Sequence, residues 1–334
     1  MPNIPLTFAC GPYDRMDALA QGKVSIPGID LTYITVDHPR NIFDRMVGGL
    51  EFDTSEMSVS EYICRYTAGK RDLVAIPIFP SRAFRHNCIA VNTDLIKTPT
   101  DLNGKRVGVQ LYTMTAAVWI RGILEDAGVD LSTITWVEGD IRKPGAHGKP
   151  AKTSLLKPVN LIPNTNPTKS LSELLEDSEI VATIGADQPP CLNKASNVRL
   201  LFAPNIREKE KEYYNRTGIF PIMHCVVIKR EIVEKYPFVT TSLFNAMNES
   251  KDIALSRLRF TATYRYMLPF LTSDLLEIDE LFAGDPWPYG VEENRRTLEA
   301  MVGFLYEQGM IDRKVPLDEL FVPVYGKNLK IGQV

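Results

Sequence analysis

The stretch TPTDLNGKRVGVQLYTMTAAVWIRGILEDAGVD, residues 98–130, reads as one compact unit with clear punctuation. A short helix over 100–102 leads into a turn at Asn103-Gly104 and a strand over 106–110. A helix then begins after Thr113 and stops at Gly128, a residue suited to ending helices. Such a unit opening in mid-chain, near Asn92, marks the start of a second domain. Upstream, strands over 6–10, 29–35, 52–57 and 73–79 alternate with helices over 13–21, 39–48 and 60–69, the rhythm of an α/β protein with largely parallel strands. Ser58 with Glu61 three residues later offers a capping box for the third of these helices.

Downstream, strand 134–139 is followed by a stretch rich in Lys, Pro, Gly and Asn over 141–167, with PGAHGKP near its start and PNTNP at its end. Long loops of this kind in compact domains serve as lids or mobile edges. The rhythm resumes with helix 170–177 and strands 180–185 and 198–202, then the charged run IREKEKEYYNRTG and the strong strand IFPIMHCVVIK. From Arg230 the chain is almost wholly helical, including a long amphipathic helix over 237–258 and helices near 273–282 and 292–308. The expected organisation is a discontinuous first domain, 1–91 plus 226–334, and an inserted second domain, 92–225, joined by two crossings. Their junction forms a cleft walled by strand ends and helix N-termini, where open α/β sheets bind ligands.

The chain has 334 residues, 44% hydrophobic and 24% charged, with a net charge of -3, which offers no basic field for nucleic acid. The N-terminus lacks a basic region followed by a long apolar run, and no apolar stretch approaches the roughly 18 residues that span a bilayer. A cytoplasmic location without membrane contact is expected. Cys10, Cys64, Cys88, Cys191 and Cys225 are scattered without a CxxC, so neither a disulfide framework nor a zinc site is indicated.

Between the apolar runs VAIPIF (74–79) and IAVN (89–92) stand Ser81, Arg82, Arg85 and His86. Guanidiniums match carboxylates in a bidentate fork, and imidazole exchanges protons near neutrality. Taken alone, the window reads as solvated loop charges with a hydrogen-bonded histidine at a strand entrance.

Longer strings carry a resemblance. FPSRAFRHN (79–87), YTMTAAVWIRGIL (112–124), GIFPIMHCVVI (218–228) and DPWPYGVEENRRTLEAM (285–301) are similar to the 4,5-dihydroxyphthalate decarboxylase family. GKRVGVQ after its short helix, with the two-crossing order, resembles the type II periplasmic-binding-protein fold. The resemblance implies a cytoplasmic carboxy-lyase of phthalate degradation that converts 4,5-dihydroxyphthalate to 3,4-dihydroxybenzoate (protocatechuate) and CO2.

Such a reaction needs an acid at the ring carbon, an acceptor at the phenol and an anchor for the second carboxylate. Of the four histidines, His147 lies in the Gly and Pro loop and His38 opens a helix as HPR, where it faces the cleft or shapes the turn. His86 and His224 fall at the crossings, inside the family-like strings, and either is a candidate acid. Arg82, Arg85, Arg15 and Arg40 all follow strands and are candidate anchors, of which about two suffice for a dianion. Tyr112, Thr113 and Thr115 open a helix whose free N–H groups suit a carboxylate, and N-capping by Thr113 is compatible with that role. Glu56, in the string SEMS with Ser58, is the candidate acceptor of catechol protons or a salt-bridge partner of an arginine; Asp14, Gly185 and Asp187 follow as lesser candidates.

No organic cofactor is expected, since there is no phosphate loop or dinucleotide fingerprint. Catechols chelate metals, and a divalent ion held by dispersed His, Asp and Glu residues would leave no signature of the HxH or HExxH kind. The expected partner is a small aromatic dicarboxylate, with a homo-oligomer possible. A non-catalytic solute-binding protein for a small aromatic carboxylate is the alternative, and a decarboxylase or tautomerising enzyme acting on a related phenol is a third reading.

Overall fold

The computed structural model describes residues 3–150, 153–192 and 194–325. The strands among them are β1 (Ile4–Cys10), β2 (Ile29–Thr35), β3 (Thr54–Ser58), β4 (Leu73–Arg82), β5 (Ile89–Asn92), β6 (Arg106–Val109), β7 (Thr135–Glu138), β8 (Leu161–Pro163), β9 (Ala182–Ile184), β10 (Val198–Leu200) and β11 (Ile222–Lys229). They form two mixed sheets, ordered β2-β1-β3-β11-β4 and β10-β5-β9-β6-β7-β8. In the first sheet β1 runs parallel to β2 and β3, and β11 lies antiparallel between β3 and β4. In the second, β6 runs parallel to β7 and β9, and β5 is antiparallel to β9 and β10.

The chain changes sheets twice, but a few residues earlier than the boundaries 91/92 and 225/226 suggest. β5 belongs wholly to the second sheet and β11 wholly to the first. Both are short, buried apolar runs that either sheet could accommodate, so hydrophobicity alone does not assign them. The charged run near 206 forms the helix Ile206–Thr217, whose Tyr213 is its buried residue, and the excursion after β7 contributes the edge strand β8. The helix Phe238–Leu258 packs on the helix Asp14–Ala20 and completes the first domain. Among the described residues, no helix is long and apolar enough to cross a membrane.

Local chemistry shapes the cleft at two places. The Ser58 side chain accepts the Glu61 N–H at 3.5 Å, but Glu61's carboxylate is taken by Arg40, so only half of the capping box forms. In β4, Pro77 and Pro80 lack the N–H a central ladder needs, and the pairing with β11 shifts register on both sides of His224. The carbonyls that the disturbed ladder leaves over accept other donors: Pro77 from Gly290 N–H at 2.8 Å, Phe79 from Trp287 Nε1–H at 2.8 Å, and Pro80 from Arg15 Nε–H at 2.5 Å.

The two domains meet along a hydroxyl seam. Ser58 Oγ and Ser60 Oγ each lie 3.0 Å from Thr115 Oγ1, and Ser60 Oγ donates to the Thr113 carbonyl at 2.8 Å. The loop after β7 also reaches the first domain: Lys149 N–H donates to Asp44 Oδ2 at 3.0 Å, and Leu156 N–H donates to the Gly309 carbonyl at 2.7 Å.

Candidate active site

One side of the cleft is built on the C-terminal ends of β1 and β3 and on the start of β11. Glu56 is central in β3, a strand buried along its length, and its side chain is fully enclosed. A buried carboxylate is tolerable only when its lone pairs are occupied. Oε1 accepts from the Tyr13 hydroxyl at 2.6 Å and lies 2.5 Å from Nδ1 of His224; Oε2 accepts from Gly11 N–H at 3.0 Å and from the Cys10 thiol at 3.6 Å. Burial by itself would push the Glu56 carboxyl up. The charge and hydrogen bond of His224, then the Tyr13 and Gly11 donors, outweigh it and hold the carboxyl below its usual range. Burial first, and the Glu56 charge next, push the Cys10 thiol and Tyr13 hydroxyl up, so both stay protonated and donate.

His224 stands opposite Ser58 on β3 and Ser81 on β4. Its ring packs edge-on against Phe43, with centroids 4.9 Å apart, and its side chain keeps 17% exposure. Nδ1 is committed to Glu56, which fixes the ring's orientation; Nε2 makes no hydrogen bond among the described residues. An imidazole held in this way can pass a proton through Nε2.

Arg15 lies beside this pair. Its guanidinium sits 4.2 Å from the Tyr13 ring centroid and 4.5 Å from that of Trp287, with Nη1 3.1 Å from the exposed Asp14. At the first crossing, Arg85 Nε–H points to Met223 Sδ at 3.1 Å and Nη1–H to the Ala186 carbonyl at 3.3 Å. Arg85 borders a cavity of about 540 Å³ with Asn87, Arg142, Asp187 and Gln188. A larger cavity of about 1100 Å³ lies elsewhere, between the helix Phe238–Leu258 and residues 285–293, and touches none of Glu56, His224 or Arg15.

No family model matches the chain. Among curated proteins, the 4,5-dihydroxyphthalate decarboxylase of Comamonas testosteroni is 36% identical over 336 aligned positions, covering 99% of this chain and all of that protein. The chain belongs to the 4,5-dihydroxyphthalate decarboxylase family. A second member, from Pseudomonas putida, is 38% identical over 197 positions, covering 58% of this chain and 75% of that protein. Solved structures give the fold: the periplasmic aliphatic sulphonate binding protein SsuA of Escherichia coli superposes with TM-score 0.54 at 15% identity, covering 99% of this chain and 95% of its own. The alkanesulfonate-binding protein SsuA of Xanthomonas axonopodis pv. citri, bound to MOPS, gives 0.52 at 15% identity, covering 98% and 99%. This family member therefore has a periplasmic-binding-protein-like fold.

In this decarboxylase-family chain the residues singled out by sequence separate into two groups. Glu56, His224 and Arg15 come together; Arg85 borders a separate cavity with Arg142 and Asp187, whose lining includes none of the three. The others are engaged elsewhere. Arg82 is buried, its Nη1 donating to Asn294 Oδ1 at 2.8 Å and its Nη2 to the Phe220 carbonyl at 2.9 Å, and burial pushes it down to about 10. It therefore ties the crossing together rather than anchoring a ligand. Arg40 is consumed by a two-pronged contact with Glu61 and an ion pair of 2.8 Å with Asp44. His86 begins a single helical turn and is buried between Phe202 and Tyr213, with burial pushing it down to about 4. Enclosed there, it hydrogen-bonds neither Glu56 nor His224.

Glu56 itself has both oxygens filled by protein donors, so it reaches the cleft through His224 rather than by accepting catechol protons directly. Ser58 and Thr115 contribute hydroxyls to the seam and Thr113 its carbonyl, all meeting around Ser60, and Tyr112 is buried beneath the Arg121 guanidinium at 3.9 Å. Gly185 is required sterically, because a Cβ there would fall 2.1 Å from Gln110 Oε1, which accepts from Ala186 N–H and Asp187 N–H. Asp187 and Arg142, 3.9 Å apart, lie on the second-domain wall. His147 is 3.6 Å from Asp140, and His38 is an exposed N-cap without a capping hydrogen bond. Tyr13, Phe43 and Trp287 were not anticipated; a Tyr two residues before Arg15 and the Trp of DPWPYG were the available signals. Among the described residues, no group of three or more His, Cys, Asp or Glu side chains is arranged to hold a metal ion.

Proposed function

We propose that this chain is a carboxy-lyase that decarboxylates 4,5-dihydroxyphthalate without oxidation, giving 3,4-dihydroxybenzoate and CO2. The observation that carries the reading is the pairing of Glu56 with His224 Nδ1 at 2.5 Å, in a chain of this family. His224 delivers the proton on Nε2 to the ring carbon bearing the departing carboxylate. The hydroxyl para to that carbon, as its phenolate, supplies the electron pair and becomes the carbonyl of a dienone-like intermediate. The bond to the carboxylate then breaks, its electrons restore the aromatic ring and CO2 leaves. Proton transfer from solvent recharges the imidazole. Glu56 keeps the ring oriented and balances the charge of the imidazolium.

Of the candidate guanidiniums, Arg15 beside the pair and Arg85 beside the second-domain residues Ala186 and Asp187 are left to receive the dianion. The Phe43 ring beside His224 supplies an apolar flank, which suits a departing carboxylate that must shed water. The test is to incubate the purified protein with 4,5-dihydroxyphthalate and follow CO2 and 3,4-dihydroxybenzoate, with and without a chelator. Turnover that survives chelation supports a route carried by His224 without a metal, and loss of turnover with chelator overturns that metal-free route. Saturable binding without turnover supports instead a solute-binding protein, like the sulphonate-binding structural neighbours.

A further inference from the structure

The geometry points to Trp287 as the positioning residue for Arg15, holding that guanidinium ready for the carboxylate that stays on the ring. This rests on the decarboxylase reading and deepens it. Arg15 and Trp287 hang from neighbouring carbonyls of the same proline-disturbed stretch of β4: Nε–H of Arg15 on Pro80 at 2.5 Å, and Nε1–H of Trp287 on Phe79 at 2.8 Å. The indole lies 4.5 Å from the guanidinium carbon, and the Tyr13 ring lies 4.2 Å from it. Tyr13 is in turn fixed by its hydroxyl on Glu56 at 2.6 Å. The anchor and the proton donor are thus built on one continuous set of contacts: Trp287, Arg15, Tyr13, Glu56, His224.

Trp287 is itself held on three sides. Its backbone N–H donates to Asp285 Oδ1 at 2.7 Å, its carbonyl accepts from Lys251 Nζ at 3.2 Å, and its ring N–H is on β4. Lys251 is a buried cation that also pairs with Asp285, which pins the DPWPYG segment to the helix Phe238–Leu258. A lysine brought indoors to fix one loop makes sense where that loop has to place a side chain accurately.

The arrangement leaves Arg15 with little freedom. Aromatic faces on the guanidinium strengthen its placement through cation–π attraction, and one N–H is already spent on Pro80. Nη2 has no partner among the described residues, and Nη1 is shared only with exposed Asp14, which an incoming carboxylate can displace. A carboxylate bound on that edge fixes the ring relative to His224. Removal of the indole face frees the side chain to turn toward Asp14 and solvent.

The test measures binding of 3,4-dihydroxybenzoate, which bears the retained carboxylate, and of catechol, which lacks it, by calorimetry. The proteins are the full-length chain and its Trp287→Leu, Trp287→Phe, Arg15→Gln and doubly substituted variants. Trp287→Leu is expected to weaken 3,4-dihydroxybenzoate about tenfold while leaving catechol unchanged, and Trp287→Phe to restore most of that loss. In the Arg15→Gln background, Trp287→Leu is expected to cost nothing further. Equal weakening of both ligands, or an undiminished cost without Arg15, overturns the inference. Where the Leu variant does not fold, the Phe variant in the two backgrounds gives the same comparison with a smaller expected effect. No step depends on turnover, so a protein that binds but releases no CO2 fails the decarboxylase reading while this outcome is still read.

Discussion

His224 Nδ1 lies 2.5 Å from Glu56 Oε1, and the two residues come from adjacent antiparallel strands, β11 and β3. A carboxylate on Nδ1 leaves Nε2 as the nitrogen that meets the substrate. Glu56→Gln presents an amide that can donate to Nδ1 as readily as accept from it, so the ring loses both its preferred orientation and its countercharge. The expected result is a fall in kcat of about 10²- to 10⁴-fold with KM changed little. Steady-state kinetics on 4,5-dihydroxyphthalate checks it, and a fall of less than threefold would remove Glu56 from this role.

Two buried groups, Glu56 and His86, make the fold lose stability as the pH falls. The folded Glu56 carboxyl titrates below the ordinary range, so as pH falls through about 4.3 the unfolded chain takes up a proton that the folded chain refuses. Its stabilisation is complete above that pH and lost on further acidification. His86 is pushed down to about 4 by burial, so between about pH 6.5 and that value the unfolded chain again binds the extra proton, at a cost on the order of 3 kcal/mol across the window. Urea unfolding of His86→Phe should show a flatter decline from about pH 6.5 to 4.5 than the parent chain, with turnover at neutral pH kept within a few-fold. Glu56→Gln should flatten only the more acidic limb.

Arg82 and Arg15 are predicted to fail in opposite ways. Arg82→Ala abandons Asn294 Oδ1 and the Phe220 carbonyl in a buried place, which should cost about 3 kcal/mol of stability while the folded fraction keeps its KM. Arg15→Gln should leave the melting temperature close to that of the parent and raise KM about tenfold or more. Thermal unfolding and kinetics on the same two preparations separate them; a raised KM in Arg82→Ala would return that residue to the anchors.

These contrasts show what could be read from the chain. Alternating apolar runs and helical periods carried the α/β layout, because burial of strands and helix faces leaves a local imprint. Glu56 fell near the end of the expected strand 52–57, although it is central in β3, and His224 lies near the start of β11. Arg82, Arg85 and His86 occupy one short loop, and nothing in their spacing tells which points into the cleft. That depends on β4 running on to Arg82 and on a single helical turn that aims His86 at Tyr213. The link from Tyr13 to Glu56 spans 43 positions, and that from Arg15 to Pro80 spans 65. Contacts at that separation are set by sheet order, which periodicity does not encode. Pro77 and Pro80 were visible, yet which donors would take the freed carbonyls depended on where residues 285–290 came to rest.

The loop after β7 makes a further demand on the chain at Gly148. Its φ of +71° favours glycine, and a Cβ there would lie 2.7 Å from Cγ of Arg40, a side chain already pinned by Glu61 and Asp44. The next residue, Lys149, donates its N–H to Asp44, so the second-domain loop rests on the helix Pro39–Gly49, which also carries Phe43 against His224. Gly148→Ala meets both strain and a crowded neighbour, and the loop is exposed enough to lift away without unfolding either core. The expected outcome is a KM raised several-fold, on the order of 1 kcal/mol of lost binding, with a melting temperature within a few degrees of the parent. Asp44→Ala, which removes the acceptor but adds no bulk, should move KM in the same direction by less. Unchanged KM in both variants would show that this contact plays no part in holding substrate in the cleft.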